Sequence, residues 1–529
     1  MTPRRVVIAG ALVLVAGTAL LYANRLACAP IYLTHDEVNF SLQAISIART
    51  GHDLNGRFLP LYFSEPEFAA GRDPLMIYAT ALALQVLPIS EWAVRLPTAL
   101  VGVLNVGLML VLTWRIFGSR WLALAASILL ALSPAHFIHS RMALSVMYPL
   151  PCVLLWLIFL HDFDRSGDRR TLAAGAVALG LGVYAYLAGL LLMPLYVVLT
   201  AVLLVERRSP RHLWWVAAVF GLMLVPLGLW QLAHPERYEA LIHAYRVGEA
   251  GGQGAAPGAG LFSVPAIRER IGTWWLFFDP SYLFLTGDSS LNNSTRQAGA
   301  FPLAFVVLLP VGLYRLWRGS TYEHIVLIGF VTAPIAVVLT GTLDLNRYRG
   351  VVVLPFGVLV AAFGVHTLWT SRQRVFRWVA AGLLVSVPWQ FAGFYTDYMG
   401  DYREAASVWF GRNLRGAIVD VLDRAPAGPV FVSRAIPYAD RYWSFYTQAG
   451  GRREAPEPTF VDGATFDAAG ASAGALLIAA VDEPWIAALD VAGWTRVAEA
   501  AEPSGAASFV ILRKNQAASP SPDSVVSWW

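Results

Sequence analysis

The chain has 529 residues, 57% hydrophobic and only 14% charged, where a soluble globular protein carries about 25% charged residues. With a mean hydropathy of +0.55, that composition excludes an ordinary soluble domain and indicates an α-helical polytopic membrane protein. The net charge of +4 rests on arginine, Lys514 being the sole lysine, and no basic patch with interleaved aromatics accompanies it, so no nucleic acid is expected as a partner.

The first apolar run, 6–27, follows Arg4 and Arg5 and is long enough to span a bilayer as one helix. It exceeds a signal peptide and has no small-residue cleavage site, so it reads as a retained anchor. Cys28 at its end and Cys152 are the two cysteines, which excludes a disulfide framework; two free thiols are expected over a single bridge. His35, Asp36 and Glu37 emerge just beyond the anchor, where a carboxylate is half desolvated and its pKa can be tuned. That is a suitable address for a general base. Residues 36–49 have helical spacing through Val38, Leu42 and Ile45 and read as a surface helix. Asp36 is equally suited to cap that helix, and Glu37 to pair with an arginine. Asp73-Pro74-Leu75 opens a second interfacial or re-entrant helix running to Leu87, with Asp73 placed as its cap.

From Arg95 the apolar runs fall at 95–117, 119–136, 147–162, 171–187, 188–205, 212–232, 301–317, 323–341, 350–370 and 376–394. With the anchor they make about 11 transmembrane helices. Arg115/Arg120, Arg165/Arg169/Arg170, Arg207/Arg208/Arg211, Arg315/Arg318 and Arg372/Arg374/Arg377 fall in alternate connectors, on the side of Arg4/Arg5. Cytoplasmic loops are enriched in arginine, so the N-terminus reads as inside and the acidic triplet as outside. Arg141 and the pair Arg347/Arg349 defy this bias, which snorkelling alone does not explain and binding of an anionic ligand does.

Two outward regions are long. Residues 234–300 hold an expected surface helix at 235–246, a glycine-rich tract at 249–254 with the composition of a lid, and the aromatics Trp274, Trp275, Phe277 and Phe278. Beyond Asp401 the charge density rises and β-rich runs appear at 429–432, 475–480 and 508–512, between helical patterns such as 402–422. The expected organisation is a membrane domain over 1–395, a small extracytoplasmic α/β soluble domain over 396–515, and a disordered tail over 516–529 rich in Ser, Pro and Ala.

The outward polar residues match in kind. Asp36, Glu37 and Asp73 supply carboxylates, while Arg141, Arg296, Arg347 and Arg349 supply guanidinium groups. A site that holds a phosphate and deprotonates a hydroxyl needs arginine forks for the one and a carboxylate for the other. His136 and His139 with His35 could be drawn as a metal site, but histidines at membrane interfaces are the simpler reading. No metal and no cofactor is expected.

These residues stand in a particular order: the anchor, Asp36-Glu37 opening a surface helix, Arg72-Asp73-Pro74-Leu75 with Tyr78, and Arg95-Leu96-Pro97-Thr98-Ala99 entering a span. Ser133-Pro134, Ser140-Arg141 and Tyr282-Leu283-Phe284 before Gly287-Asp288 follow. Over roughly residues 1–395 this resembles the bacterial family 39 glycosyltransferases, relatives of the protein O-mannosyltransferases and of the aminoarabinose transferase that modifies lipid A. The resemblance implies a GT-C fold and transfer of a sugar from a polyprenyl-phosphate-linked donor to an envelope acceptor on the outer face of the plasma membrane. It also implies that Asp36 is the base and that Arg347 or Arg349 neutralises the carrier phosphate. Many members have a further acid shortly after the arginine matching Arg141. Here residues 142–147 hold none, and Asp73 is a partial substitute.

Membrane lipid is a further partner, since the carrier's tail needs a groove between helices. A flippase of lipid-linked sugar would instead show charges or broken helices at mid-membrane depth. An oligosaccharide-transferring relative would favour a divalent metal with more outward acids around it.

Overall fold

The computed structural model describes residues 3–65, 68–236, 264–339, 347–424, 428–452 and 455–515. The glycine-rich tract at 249–254, the surface helix expected at 235–246 beyond residue 236, and the tail at 516–529 lie outside the described residues. The chain divides into two compact units: Met1–Pro30, Gln43–Leu87 and Glu91–Tyr402 form one, and Ile31–Leu42, Pro88–Ser90 and Arg403–Trp529 the other. The boundary expected at 395 falls inside a continuous helix, Arg374–Met399.

The first unit is helical. α1 (Pro3–Ala23) leads to α2 (His35–Thr50), whose first half belongs to the second unit; the hairpin β1 (Phe63–Glu65) and β2 (Phe68–Arg72) precedes α3 (Pro74–Leu84). There follow α4 (Glu91–Phe117), α5 (Arg120–Ala131), α6 (Pro134–Ser140), α7 (Pro149–Ser166), α8 (Arg169–Gly182), α9 (Gly189–Glu206) and α10 (Pro210–Ala233). Then come α11 (Val264–Leu276), α12 (Phe305–Trp317), α13 (Thr321–Thr332), α14 (Ile335–Leu339), α15 (Val353–Thr370) and α16 (Arg374–Met399).

Among the described residues six helices are long and apolar enough to cross a membrane, or up to seven if a bent pair counts as one span. The bent pair is α5 with α6, which meet at 64°. Pro134 lacks the N–H that would continue α5 and its ring clashes with the preceding turn, so the run expected at 119–136 breaks there and restarts. In α10 only 11% of the apolar window is buried, as suits a helix that faces lipid, whereas in α15 the figure is 78%. α15 is therefore an interior helix. It lies against α12 with the backbones almost touching: a Cβ on Gly312 would overlap the Val360 carbonyl, and one on Gly364 the Leu308 carbonyl. Cys28 and Cys152 are both free thiols.

The second unit is an α/β layer. After α17 (Asp401–Ala406), which spans the division, come α18 (Leu414–Asp423), β3 (Val430–Ser433), α19 (Ala439–Ala449), β4 (Thr459–Val461), β5 (Leu476–Ala480), β6 (Trp494–Ala501) and β7 (Ala507–Lys514). The sheet order is β4-β3-β5-β7-β6. β3 runs parallel to β4 and β5, and β7 antiparallel to β5 and β6. Leu477, Ala479, Val510 and Leu512 of the central strands form its core with Ile486, Leu489 and Trp494. Ile31–Leu42 joins this unit through specific bonds. Tyr32 donates to Glu502 at 2.8 Å, Tyr442 donates to the Leu33 carbonyl at 2.8 Å, and His35 stacks on Tyr438.

Candidate active site

The acidic triplet opens α2, and its three members do different things. Thr34 Oγ1 accepts the Glu37 N–H at 3.2 Å, while Glu37 Oε2 accepts the Thr34 N–H at 2.9 Å. This reciprocal pair is a capping box, with Thr34 as cap and Glu37 three residues on. Asp36, for which cap and base were equally open, therefore stands outside the box. Its side chain is 29% exposed and lies 3.7 Å from His35 Nε2. Glu37 is fully buried, and an acid buried in a helix cap is poorly placed to exchange protons with a substrate. The cap gives Glu37 a structural role beside the catalytic one expected of it.

Asp73 sits at the cap position of α3, ahead of Pro74, but its side chain makes no cap bond. Its carboxylate instead receives the Ser145 hydroxyl at 3.3 Å. Asp73 is 9% exposed. Ser145 lies within 142–147, the segment without an acid of its own, so Asp73 brings one there from elsewhere in the chain.

Arg347 begins the 3-10 turn Arg347–Gly350. Its guanidinium lies over the Tyr282 ring at 4.9 Å, and its Nε is buried without a hydrogen bond. Asp288 is its electrostatic neighbour. Burial pushes the Asp288 carboxyl above its ordinary range, opposed by the Ser290 N–H at 2.9 Å and by the Arg347 charge. Burial, then the Asp288 charge, pushes the Tyr282 phenol upward too. Asp288 Oδ2 is buried without a hydrogen bond, in the wall of a small cleft that Tyr282, His139, Asn293 and Tyr348 also line. A guanidinium and a carboxylate, each with an unpaired buried atom and an aromatic face beside them, can orient a polar group and tune its charge. Asp288 and Tyr282 were legible only as members of a motif; the spacing assigned them no role.

The remaining arginines differ from expectation. Arg141 is fully buried. Its Nε and Nη2 donate to the Ala29 carbonyl at 3.1 and 2.9 Å, its Nη1 to Tyr22 at 2.6 Å, and its Nη2 also to Arg25 at 3.1 Å. Arg95, equally buried, donates to the Leu26 and Pro30 carbonyls at 3.2 and 2.9 Å. A helix ends with unpaired carbonyls and a negative dipole, and these two cations satisfy both at the end of α1. Where the sequence suggested a substrate contact, these donors of Arg141 hold backbone carbonyls. Arg296 has a left-handed φ of +60° and donates to the Ser289 carbonyl at 2.7 Å, which closes its own loop. Arg349 is half-buried and places its guanidinium 5.9 Å over the Tyr348 ring. Among the described residues no group of three or more His, Cys, Asp or Glu side chains could hold a metal ion.

Residues 69–230 match the family described as dolichyl-phosphate-mannose-protein mannosyltransferase. No curated protein matches the chain by sequence. Among solved structures, ArnT from Cupriavidus metallidurans in the apo state aligns with 95% of this chain and 97% of its own at 16% identity, with a TM-score of 0.57. ArnT from Cupriavidus metallidurans bound to undecaprenyl phosphate aligns over the same shares at 16% identity, with a TM-score of 0.49. The S. cerevisiae protein O-mannosyltransferase Pmt1-Pmt2 complex bound to the sugar donor aligns with 44% of this chain and 34% of that one at 19% identity, with a TM-score of 0.33. The first of these carries the fold, and the other two superpose too loosely to add to it. Residues 69–230 are thus similar to that family, and along nearly its whole length the chain shares the fold of ArnT, with several helices apolar enough to cross a membrane.

Proposed function

We propose that the protein is a glycosyltransferase that moves a sugar from a polyprenyl-phosphate-linked donor to a hydroxyl of a cell-envelope acceptor. Asp36 is the general base. The observation that carries this reading is the division of labour at the start of α2, where Thr34 and Glu37 form the cap and Asp36, outside it, keeps a carboxylate that is 29% exposed. A base needs a carboxylate that a substrate can reach and that the helix cap does not occupy.

The chemistry needs no covalent intermediate. The acceptor oxygen forms a bond to the anomeric carbon as the bond to the carrier phosphate breaks; the proton passes to Asp36 and the polyprenyl phosphate leaves with the electron pair. One displacement inverts the anomeric centre. Arg347 is assigned to the departing phosphate, because a guanidinium with a buried unpaired Nε is a strong donor without a competing partner at that atom. Asp73 is a supporting acid at Ser145. Arg349 is a second candidate for the phosphate, whereas Arg296 is assigned to its loop. The topology that goes with this reading has about 11 transmembrane helices, the N-terminus cytoplasmic and the C-terminal unit on the outer face of a bacterial plasma membrane. Transfer from a panel of radiolabelled polyprenyl-phosphate sugars in reconstituted membranes tests it: one accepted donor is expected, and transport of lipid-linked sugar without transfer contradicts it.

A further inference from the structure

The two parallel strands at the centre of the second unit, β3 and β5, send their connections in opposite directions, β3 to β4 at one edge and β5 to the β7-β6 side. Loops leaving the carboxyl ends of such a pair diverge and leave a crevice, the preferred ligand position in an open α/β sheet. Here the crevice is a cavity of about 440 Å³, within the roughly 300–1,000 Å³ of small-molecule sites. Its walls include 435–438, which follows β3, and 480–483, which follows β5, together with the turn 408–412 and the Thr34-His35 pair that leads into α2.

The lining is aromatic with one ion pair, Arg412–Asp482, and a further acid, Glu483, whose carboxylate accepts from Ser433, Trp485 and the Ala480 N–H. Tyr438 stacks on His35 with ring centres 4.7 Å apart and planes within 7°, and Trp409 is 46% exposed. Both terminal nitrogens of Arg412 meet one oxygen of Asp482 at 3.2 Å. Tyr438 and Arg412 hold left-handed φ angles of +55° and +60°, a strained conformation for side chains of their size that clusters at ligand sites. A phosphate would want an uncompensated cation here, and Arg412 is compensated. A lipid tail would leave the ion pair buried beneath it. A sugar ring meets both requirements, since its C–H face lies on an aromatic ring while its hydroxyls donate to the carboxylate and accept from the guanidinium.

We propose that this cavity binds a neutral sugar ring of the acceptor. The proposal rests on the reading of Asp36 as base and adds to it the class of acceptor, a glycan or glycosylated lipid. His35 links the two features, because its ring forms part of the cavity wall and its Nε2 lies 3.7 Å from Asp36 Oδ1. A ring held at the His35 end presents a hydroxyl next to the base.

The test is titration of the full-length protein, in lipid nanodiscs, with methyl glycosides of common hexoses and pentoses, read by calorimetry and tryptophan fluorescence. Saturable binding of at least one glycoside is expected. Trp409→Ala should weaken it by about tenfold. Arg412→Gly should do likewise, and is the safer variant for folding because glycine adopts a φ of +60° without strain. Asp36→Asn should bind the glycoside as wild type does. Normal transfer by Asp36→Asn would overturn the base while leaving glycoside binding intact, so the two failures are distinguishable. The cavity assignment is overturned if no glycoside binds saturably, or if both cavity variants bind like wild type.

Discussion

Ser145 Oγ donates a 3.3 Å hydrogen bond to the carboxylate of Asp73, so an acid at the start of α3 reaches the segment 142–147. With that carboxylate supporting the transfer chemistry, Asp73→Asn should lower transfer on the order of 10²-fold. Adding Ser145→Asp to Asp73→Asn moves the carboxylate to the other partner of the same bond. Transfer by the double variant should exceed that of Asp73→Asn alone. Equal rates in the two would remove Asp73 from the account.

Glu37 and Asp36 are adjacent in sequence but separable by experiment. Glutamine at position 37 can still close the capping box, so Glu37→Gln should retain near-normal transfer. Thr34→Ala should cost about 1 kcal/mol of stability and leave the acid–base chemistry in place. Loss of transfer in a folded Glu37→Gln protein would restore Glu37 to the catalytic set.

Arg141 and Arg347 should fail in opposite ways. Without Arg141 the carbonyls of Tyr22, Arg25 and Ala29 lose buried donors, each at roughly 1–3 kcal/mol. Arg141→Ala should therefore melt well below wild type, and Arg141→Lys should rescue little, since one ammonium cannot span carbonyls that a planar fork reaches. Arg347→Ala should melt near wild type but bind polyprenyl phosphate weakly. A normal donor affinity in Arg347→Ala would shift the phosphate contact to Arg349.

Asp288 gives the stability a pH dependence. Its folded carboxyl titrates above the ordinary value of 3.8 because of burial, so the folded state holds the proton more tightly than the unfolded chain. Stability from this group is present below the unfolded pKa and is lost as pH rises through the folded one. Melting temperature should fall across that window in wild type, and the slope should flatten in Asp288→Asn. An unchanged slope in the variant would contradict the assignment.

Much of the helical architecture was legible because a membrane span announces itself by length and apolarity. The run read at 95–117 is Glu91–Phe117, and that at 350–370 is Val353–Thr370. The edge strand Trp494–Ala501 was not legible: it pairs on one side only and carries Thr, Arg, Glu and Ala with a mixed burial pattern. Nor was the membership of residues 31–42 in the C-terminal unit, since Tyr442 meets Leu33 across 409 positions of sequence, a pairing that no local period reveals. The backbone partners of Arg141 were hidden for a related reason. An unpaired arginine at an interface suggests an anion, whereas its partners are backbone carbonyls of a distant segment, which have no signature in the residue code. Glu37 was visible as an acid, and the Thr34-x-x-Glu37 spacing that assigns it to the cap was present in the sequence throughout.

The most direct measurement is the rate of sugar transfer by Asp36→Asn, in reconstituted membranes with an accepted polyprenyl-phosphate-linked donor, beside a check that the variant melts like wild type. The account predicts a loss on the order of 10²–10⁴-fold with the fold and donor affinity retained. Normal turnover by that variant would contradict it.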